Sequence, residues 1–268
     1  MIQRPAHFTQ IDDCYVPTVN AQSHWGDDHL NGPAIVGLAA QVLENAFGLP
    51  DFMPARLTVD LFKAARGVPT TARLRLVRSG RRVRNSECEI VQDAVTVARA
   101  TLVQYRRDAA PRGSEWTPTP EFAFPAERDD LRIQMHSDGV GWSGAVADHQ
   151  NAGRKRAVNR GIDVVAGQPT TPFVNAVMVA EATSLVTNLG TDGVGYINGD
   201  LTVALVRLPE SERIGVRADS HVVSDGIAVG TATLFDQKGA FGSGLVTAVS
   251  NPAAQIDFGN DRFSERAR

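Results

Sequence analysis

The feature that most constrains this chain is an internal repeat. Leu57-Thr58-Val59-Asp60-Leu61-Phe62 recurs as Leu201-Thr202-Val203-Ala204-Leu205-Val206, 144 residues later. The same offset carries Ile90-Val91-Gln92-Asp93 onto Leu234-Phe235-Asp236-Gln237. Two matches at one offset, in the same order, point to a duplicated unit rather than a chance hexapeptide. A chain of 268 residues that is 43% hydrophobic can bury a core in each copy.

Each copy opens with an apolar helix. The first is expected from about Pro33 to Phe47, with Asn31 as its cap and Pro33 in its first turn, where a missing N–H costs nothing. Its residues leave almost no polar face, which marks a helix buried all round. The second is expected to start at Thr171-Pro172 and run to about Leu189, with Gly190 and Asp192-Gly193 as the stop. Strand patterns follow each helix. Arg73 and Arg75 alternate with Leu74 and Leu76, and turns are expected at Ser79-Gly80, Gln92-Asp93, Asp225-Gly226 and Gln237-Lys238-Gly239. The organisation expected is α+β, with repeats at 20–107 and 168–252. Between them, 108–167 is a connecting segment, Pro-rich from Asp108 to Pro125 and then irregular, with the basic run Arg154-Lys155-Arg156.

Composition removes several function classes. A net charge of −3 provides no global basic field for nucleic acid. Two cysteines, Cys14 and Cys88, make neither a disulfide framework nor a zinc site, so no metal is expected. The most apolar run, about 15 residues and broken by Gln41, Glu44 and Asn45, falls short of a span of about 20. The N-terminus lacks the apolar core of a signal peptide, so a cytoplasmic location is expected. No Gly-x-Ser-x-Gly elbow is present, which disfavours a serine hydrolase, and Gly239 to Gly244 sits in a strand pattern rather than a phosphate loop.

A buried helix followed by an antiparallel meander describes a sheet wrapped around one helix. At this level the sequence resembles the acyl-CoA thioesterase II-like family of double hot-dog proteins, in its actinobacterial branch. The resemblance rests on Asn31-Gly32-Pro33-Ala34, Pro54 through Leu61 and Gly80-Arg81-Arg82-Val83 in the first half. In the second it rests on Tyr196 through Val203, Arg207-Leu208-Pro209, Asp225-Gly226 and Asp236-Gln237-Lys238-Gly239. It covers about 20–107 and 168–250. It implies a double hot-dog fold, two repeats packed as a pseudo-dimer, and hydrolysis of a fatty acyl-CoA thioester with no further cofactor. Its implied partner is the acyl-CoA substrate, in the setting of lipid metabolism; a homo-oligomer through sheet edges or the helix-covering faces stays open.

The resemblance also implies a water-holding trio, transferred here residue by residue. Glu181 stands on the second helix where the family has Asp, among Val179, Ala180 and Ala182, so desolvation would raise its pKa toward that of a general base. Asn198 stands where the family has Thr, and an amide can hold a water or a thioester oxygen without base chemistry. It also reads as half of an Asn-Gly turn. The late-strand Gln falls on Val246 or, one residue along, on Thr247; a Val cannot orient water, and a one-residue slip changes the face of a strand. Asp200 is expected on the same strand face as Asn198, as a supporting group. The 144 offset places Gly37 opposite Glu181, so one site per chain is expected.

Arg66, Arg73, Arg75, Arg78, Arg81, Arg82 and Arg84 follow one another without an intervening acid. Of these, Arg78, Arg81 and Arg82 are candidates for the phosphates of CoA or an acidic carrier protein. The alternative for the run is a solvated strand face offset by Glu87 and Glu89. Two rival functions stay open: an acyl-CoA or acyl-carrier binding protein with a degenerate site, favoured by Val246, and a hydratase resting on His29.

Overall fold

The computed structural model describes residues 4–118, 120–128 and 130–259. In chain order the elements are β1 (Ala6–Ile11), β2 (Cys14–Pro17), β3 (Gln22–Ser23), β4 (Gly26–Leu30), α1 (Gly32–Phe47), β5 (Phe52–Leu61), β6 (Thr71–Ser79), β7 (Val83–Gln92) and β8 (Val95–Arg106). Then come β9 (Ile133–Ser137), β10 (Gly141–Ser143), β11 (Lys155–Arg160), β12 (Asp163–Val165), α2 (Pro172–Ala180) and α3 (Ala182–Asn188). The chain continues with β13 (Leu189–Gly190), β14 (Gly193–Val194), β15 (Tyr196–Asn198), β16 (Asp200–Leu205), β17 (Arg213–Ser224), β18 (Ile227–Asp236) and β19 (Gly239–Ser250).

The two copies share one sheet. Its order is β10-β9-β11-β17-β18-β19-β16-β5-β8-β7-β6, with β15 added beside β19. Antiparallel pairing of β16 with β5 joins the halves, and Thr58 lies opposite Thr202 there. Their hydroxyls are 3.0 Å apart, and the two positions differ by 144 in the chain. A residue that faces its own repeat equivalent lies on a pseudo-twofold axis, so the two copies meet as an isologous pair. Strand boundaries follow the same offset: β7 and β8 map onto β18 and β19.

The hairpin turns form as their residues require. Asp93 and Ala94 have φ of 47° and 63°, and Asp225 and Gly226 have 50° and 76°, the paired positive angles of tight hairpins. Inside the sheet lie the helices, walled by inward residues such as Leu57, Val59, Ile90, Leu102, Leu201, Val203 and Leu234. The two helices pass closely at Gly37, where an added side chain would meet Met178 and Val164.

Two expectations are corrected here. The stretch from about 126 to 168 is not irregular: β11 pairs with β17 and β9, which extends the second half of the sheet, and β12 pairs in parallel with β1. The basic run hid this because Lys155 and Arg156 open a strand in which Lys155, Ala157 and Val158 are buried. The second helix is not continuous either. It breaks at Glu181, the only charged residue between Pro172 and Asn188, which closes α2 and opens α3.

Candidate active site

The site is assembled at the N-terminus of α1. The side chain of Asn31 accepts from Ala34 N–H at 2.9 Å, while its own backbone N–H reaches Ala21 O at 2.8 Å. Pro33 has no N–H to give. Of the donors that a helix start leaves unpaired, Gly32 N–H is therefore the one that neither the cap nor the helix satisfies. Glu181 meets the helix at this point: any side chain on Gly32 would overlap Glu181 Oε1. Glycine at the first helical position is what lets the carboxyl of one repeat touch the helix start of the other.

Asn198 completes the constellation. Its Nδ2 donates to Glu181 Oε1 at 3.4 Å, and its Oδ1 accepts from Ser184 Oγ at 2.7 Å. The row continues through Asn188, whose Nδ2 donates to Ser184 Oγ at 3.4 Å and whose Oδ1 lies 3.1 Å from His221 Nε2. Glu181, Ser184 and Asn188 are spaced i, i+3, i+7, so they form one polar stripe along α3. Burial pushes the Glu181 carboxyl up to about 8, and the hydrogen bond from Asn198 opposes that shift. A carboxyl poised near neutrality at the start of a helix can accept a proton from water while the positive end of that helix holds a developing oxyanion.

The structure brings Glu181 and Asn198 together and leaves the other expected residues elsewhere. Asn198 and Asp200 do not share a face, which corrects the expectation. The register slips by one between the pairs Asn198·Ala248 and Thr202·Leu245, so the strand turns over at Gly199. Asp200 instead accepts from Thr247 N–H at 3.1 Å and from the Thr247 hydroxyl. Thr247 alternates with Val246 and Ala248, both buried, so its side chain points to the outer face, away from Glu181. Val246 is on the inner face, packed in the core with 1% exposure.

Arg78, Arg81 and Arg82 flank the β6–β7 hairpin and are exposed. That hairpin is at the far end of α1: nearby Arg84 donates to Phe47 O, and a 16-residue helix is about 24 Å long. The structure thus does not bring these arginines to Glu181. The middle of the run is the solvated strand face, with Arg73 and Arg75 opposite Glu89 and Glu87. His29 is engaged by Arg66, whose Nη1 lies 2.8 Å from His29 Nε2.

The residue opposite Glu181 also changes. The helix caps Asn31 and Thr171 are 140 apart, not 144, because the β13–β14 hairpin inserts four residues before the strands resume. Counted from the caps, Glu181 corresponds to Gln41, and Gly37 is the helix crossing. Gln41 is 6% exposed and donates to Gln168 Oε1 at 2.7 Å. Sequence reading missed Gly32, Ser184 and Asn188 as a group. Their signal was available: a glycine between cap and proline, and two polar residues in register with Glu181 on an apolar helix.

The sequence matches the acyl-CoA thioesterase N-terminal domain over residues 21–105 and the acyl-CoA thioesterase C-terminal domain over 98–244. The chain belongs to the acyl-CoA thioesterase family. Among solved structures, a candidate thioesterase II from Thermobifida fusca is similar at 17% identity and a TM-score of 0.67, over 91% of this chain and 94% of that one. The TesB protein of Mycobacterium avium subspecies paratuberculosis is 14% identical with a TM-score of 0.64, over 91% and 96%. A hot-dog protein of Alicyclobacillus acidocaldarius is 16% identical with a TM-score of 0.63, over 91% and 95%. At these identities the neighbours carry the fold, and this thioesterase-family chain is a double hot-dog. No curated protein matches the sequence. No helix of the described residues is long and apolar enough to cross a membrane.

Proposed function

We propose that this protein hydrolyses a fatty acyl-CoA thioester at the junction of α1 and Glu181, one site per chain. The observation that supports this reading is the contact of the Glu181 carboxyl with Gly32 at the start of α1. In its ionised form Glu181 takes a proton from water as the water oxygen bonds to the thioester carbon. Gly32 N–H and the positive end of α1 hold the oxyanion. Collapse of that intermediate breaks the carbon–sulfur bond, and the proton on Glu181 passes to the CoA sulfur, releasing a thiol and a carboxylic acid that gives its proton to solvent. Asn198 orients Glu181 through Nδ2, and Ser184 in turn fixes the rotation of the Asn198 amide.

A second reading is favoured by one feature, the absence of a water-orienting side chain at Val246. In that reading the protein binds acyl-CoA or an acyl carrier without cleaving it. Thiol release from acyl-CoAs of graded chain length separates the two. Hydrolysis by wild type, reduced about 10²–10⁴-fold in Glu181→Gln with KM little changed, is the expected result. Binding without release at every chain length would support the second reading and overturn the first.

A further inference from the structure

The polar stripe on α3 ends in a cleft that the proposed hydrolytic step does not use. The cleft has a volume of about 790 Å³, within the range of small-molecule sites, and Lys155, Asn188, Tyr196 and His221 form part of its wall. Lys155 is only 3% exposed. Its Nζ donates to Asn151 O at 2.6 Å and Gly153 O at 2.8 Å, and no carboxylate among the described residues pairs with it. Arg154, also in the wall, differs in being engaged by Asp219. A buried ammonium held only by neutral carbonyls is under-compensated, because its desolvation is repaid fully only by an opposite charge. Burial accordingly holds Lys155 below the usual lysine range. It keeps one N–H beyond those given to the two carbonyls. His221 stands in the same wall, with its ring edge-on to Tyr196 at 6.1 Å between centroids.

We propose that this cleft is a substrate subsite for an anionic group, a phosphate or a carboxylate, held by Lys155, with His221 beside it in the wall. The inference rests on hydrolysis at Glu181, since the hydrogen-bonded row Asn198–Ser184–Asn188 joins the two places along α3, about 10 Å of helix. Two sources supply such an anion: the phosphates of CoA, or a carboxylate at the far end of the acyl chain.

Calorimetry with free CoA and, separately, with octanedioate tests the subsite without any turnover. Wild type and Glu181→Gln are expected to bind one probe equally well, and Lys155→Met is expected to weaken that probe at least tenfold. The probe that responds identifies the source. A location-specific measurement covers the case in which Lys155→Met does not fold: the His221 imidazole signal of the wild-type protein, assigned with His221→Gln, should move on addition of the bound probe. Neither probe binding, equal binding by a folded Lys155→Met, or an unmoved His221 signal would overturn the subsite. Failure of hydrolysis alone would leave these readouts in place and count against the Glu181 reading instead.

Discussion

The two repeats share a backbone plan and differ in what they do with equivalent buried positions. At the tenth residue after the helix cap, the second repeat has Glu181 and the first has Gln41, an amide bonded to Gln168. At the strand position of Asn198 the first repeat has Pro54, and at Asp236 it has Gln92. Gln92 pins a loop with neutral bonds: it accepts from Arg66 N–H at 2.9 Å and donates to Arg66 O at 2.8 Å and to the Thr70 hydroxyl at 2.9 Å. Asp236 pins the corresponding loop with charge, in a bidentate pair with Arg207 at 2.6 and 2.7 Å, and accepts from Glu210 and Lys238 N–H. Burial alone would raise the Asp236 carboxyl, but the Arg207 guanidinium and the two backbone donors hold it below the usual range. The difference teaches that at these equivalent positions one half holds ionisable groups and the other holds amides, which hold shape without titrating.

This contrast can be broken at its strongest point. Glu181→Gln makes the helices alike and should remove thiol release to the extent given above, whereas Gln41→Leu should leave kcat within about twofold. Steady-state kinetics on both variants checks this. Next in size is the pair of loop pins. Asp236→Asn leaves Arg207 without its counter-charge and should cost about 3–5 kcal/mol. Gln92→Leu, which breaks neutral bonds only, should cost about 1–3 kcal/mol. Denaturant titration ranks them, and an equal cost would contradict the distinction.

The helix start offers a third test. Gly32→Ala places a methyl where Glu181 Oε1 now sits, so kcat/KM should fall about tenfold or more, equivalent to about 1.4 kcal/mol. Glu181 also leaves a pH signature. Its folded pKa of about 8 is above the ordinary glutamate value, so between the two the folded state holds a proton that the unfolded chain has lost. Stability contributed by this group therefore falls as pH rises through that window. Glu181→Gln should match wild type near pH 4 and exceed it by up to about 5 kcal/mol at pH 9, measured as a difference in unfolding free energy. In wild type, kcat/KM should rise with pH up to about 8 and then level off. The smallest effect is expected at Thr247→Val: about 1 kcal/mol for the lost bond to Asp200, and hydrolysis within twofold, because that pair faces out of the sheet.

Much of the fold was legible because it rests on local rules. Asn31 and Thr171 cap their helices and donate order to the first turns, and Asp93 and Asp225 sit in hairpin turns, as their residue types require. The site is legible only in part. Glu181 and Asn198 can be nominated one at a time, but the face of Asp200 depends on a one-residue slip at Gly199 that no residue type announces, and Thr247 faces out of β19 because its neighbours Val246 and Ala248 face in.

What the sequence by itself determined is the duplication, the two apolar helices with their caps, and the presence of a lone charge, Glu181, inside the second helix. Periodicity and capping act within a few residues, so they can be read from the chain. The tertiary structure alone decided that Glu181 meets Gly32 across the repeat boundary and that Gln41 is its counterpart. It also decided that Lys155 is buried without a counter-charge among the described residues. Each of these depends on which surfaces the wrapped sheet brings together, and contacts between residues more than a hundred positions apart leave no local periodicity to read.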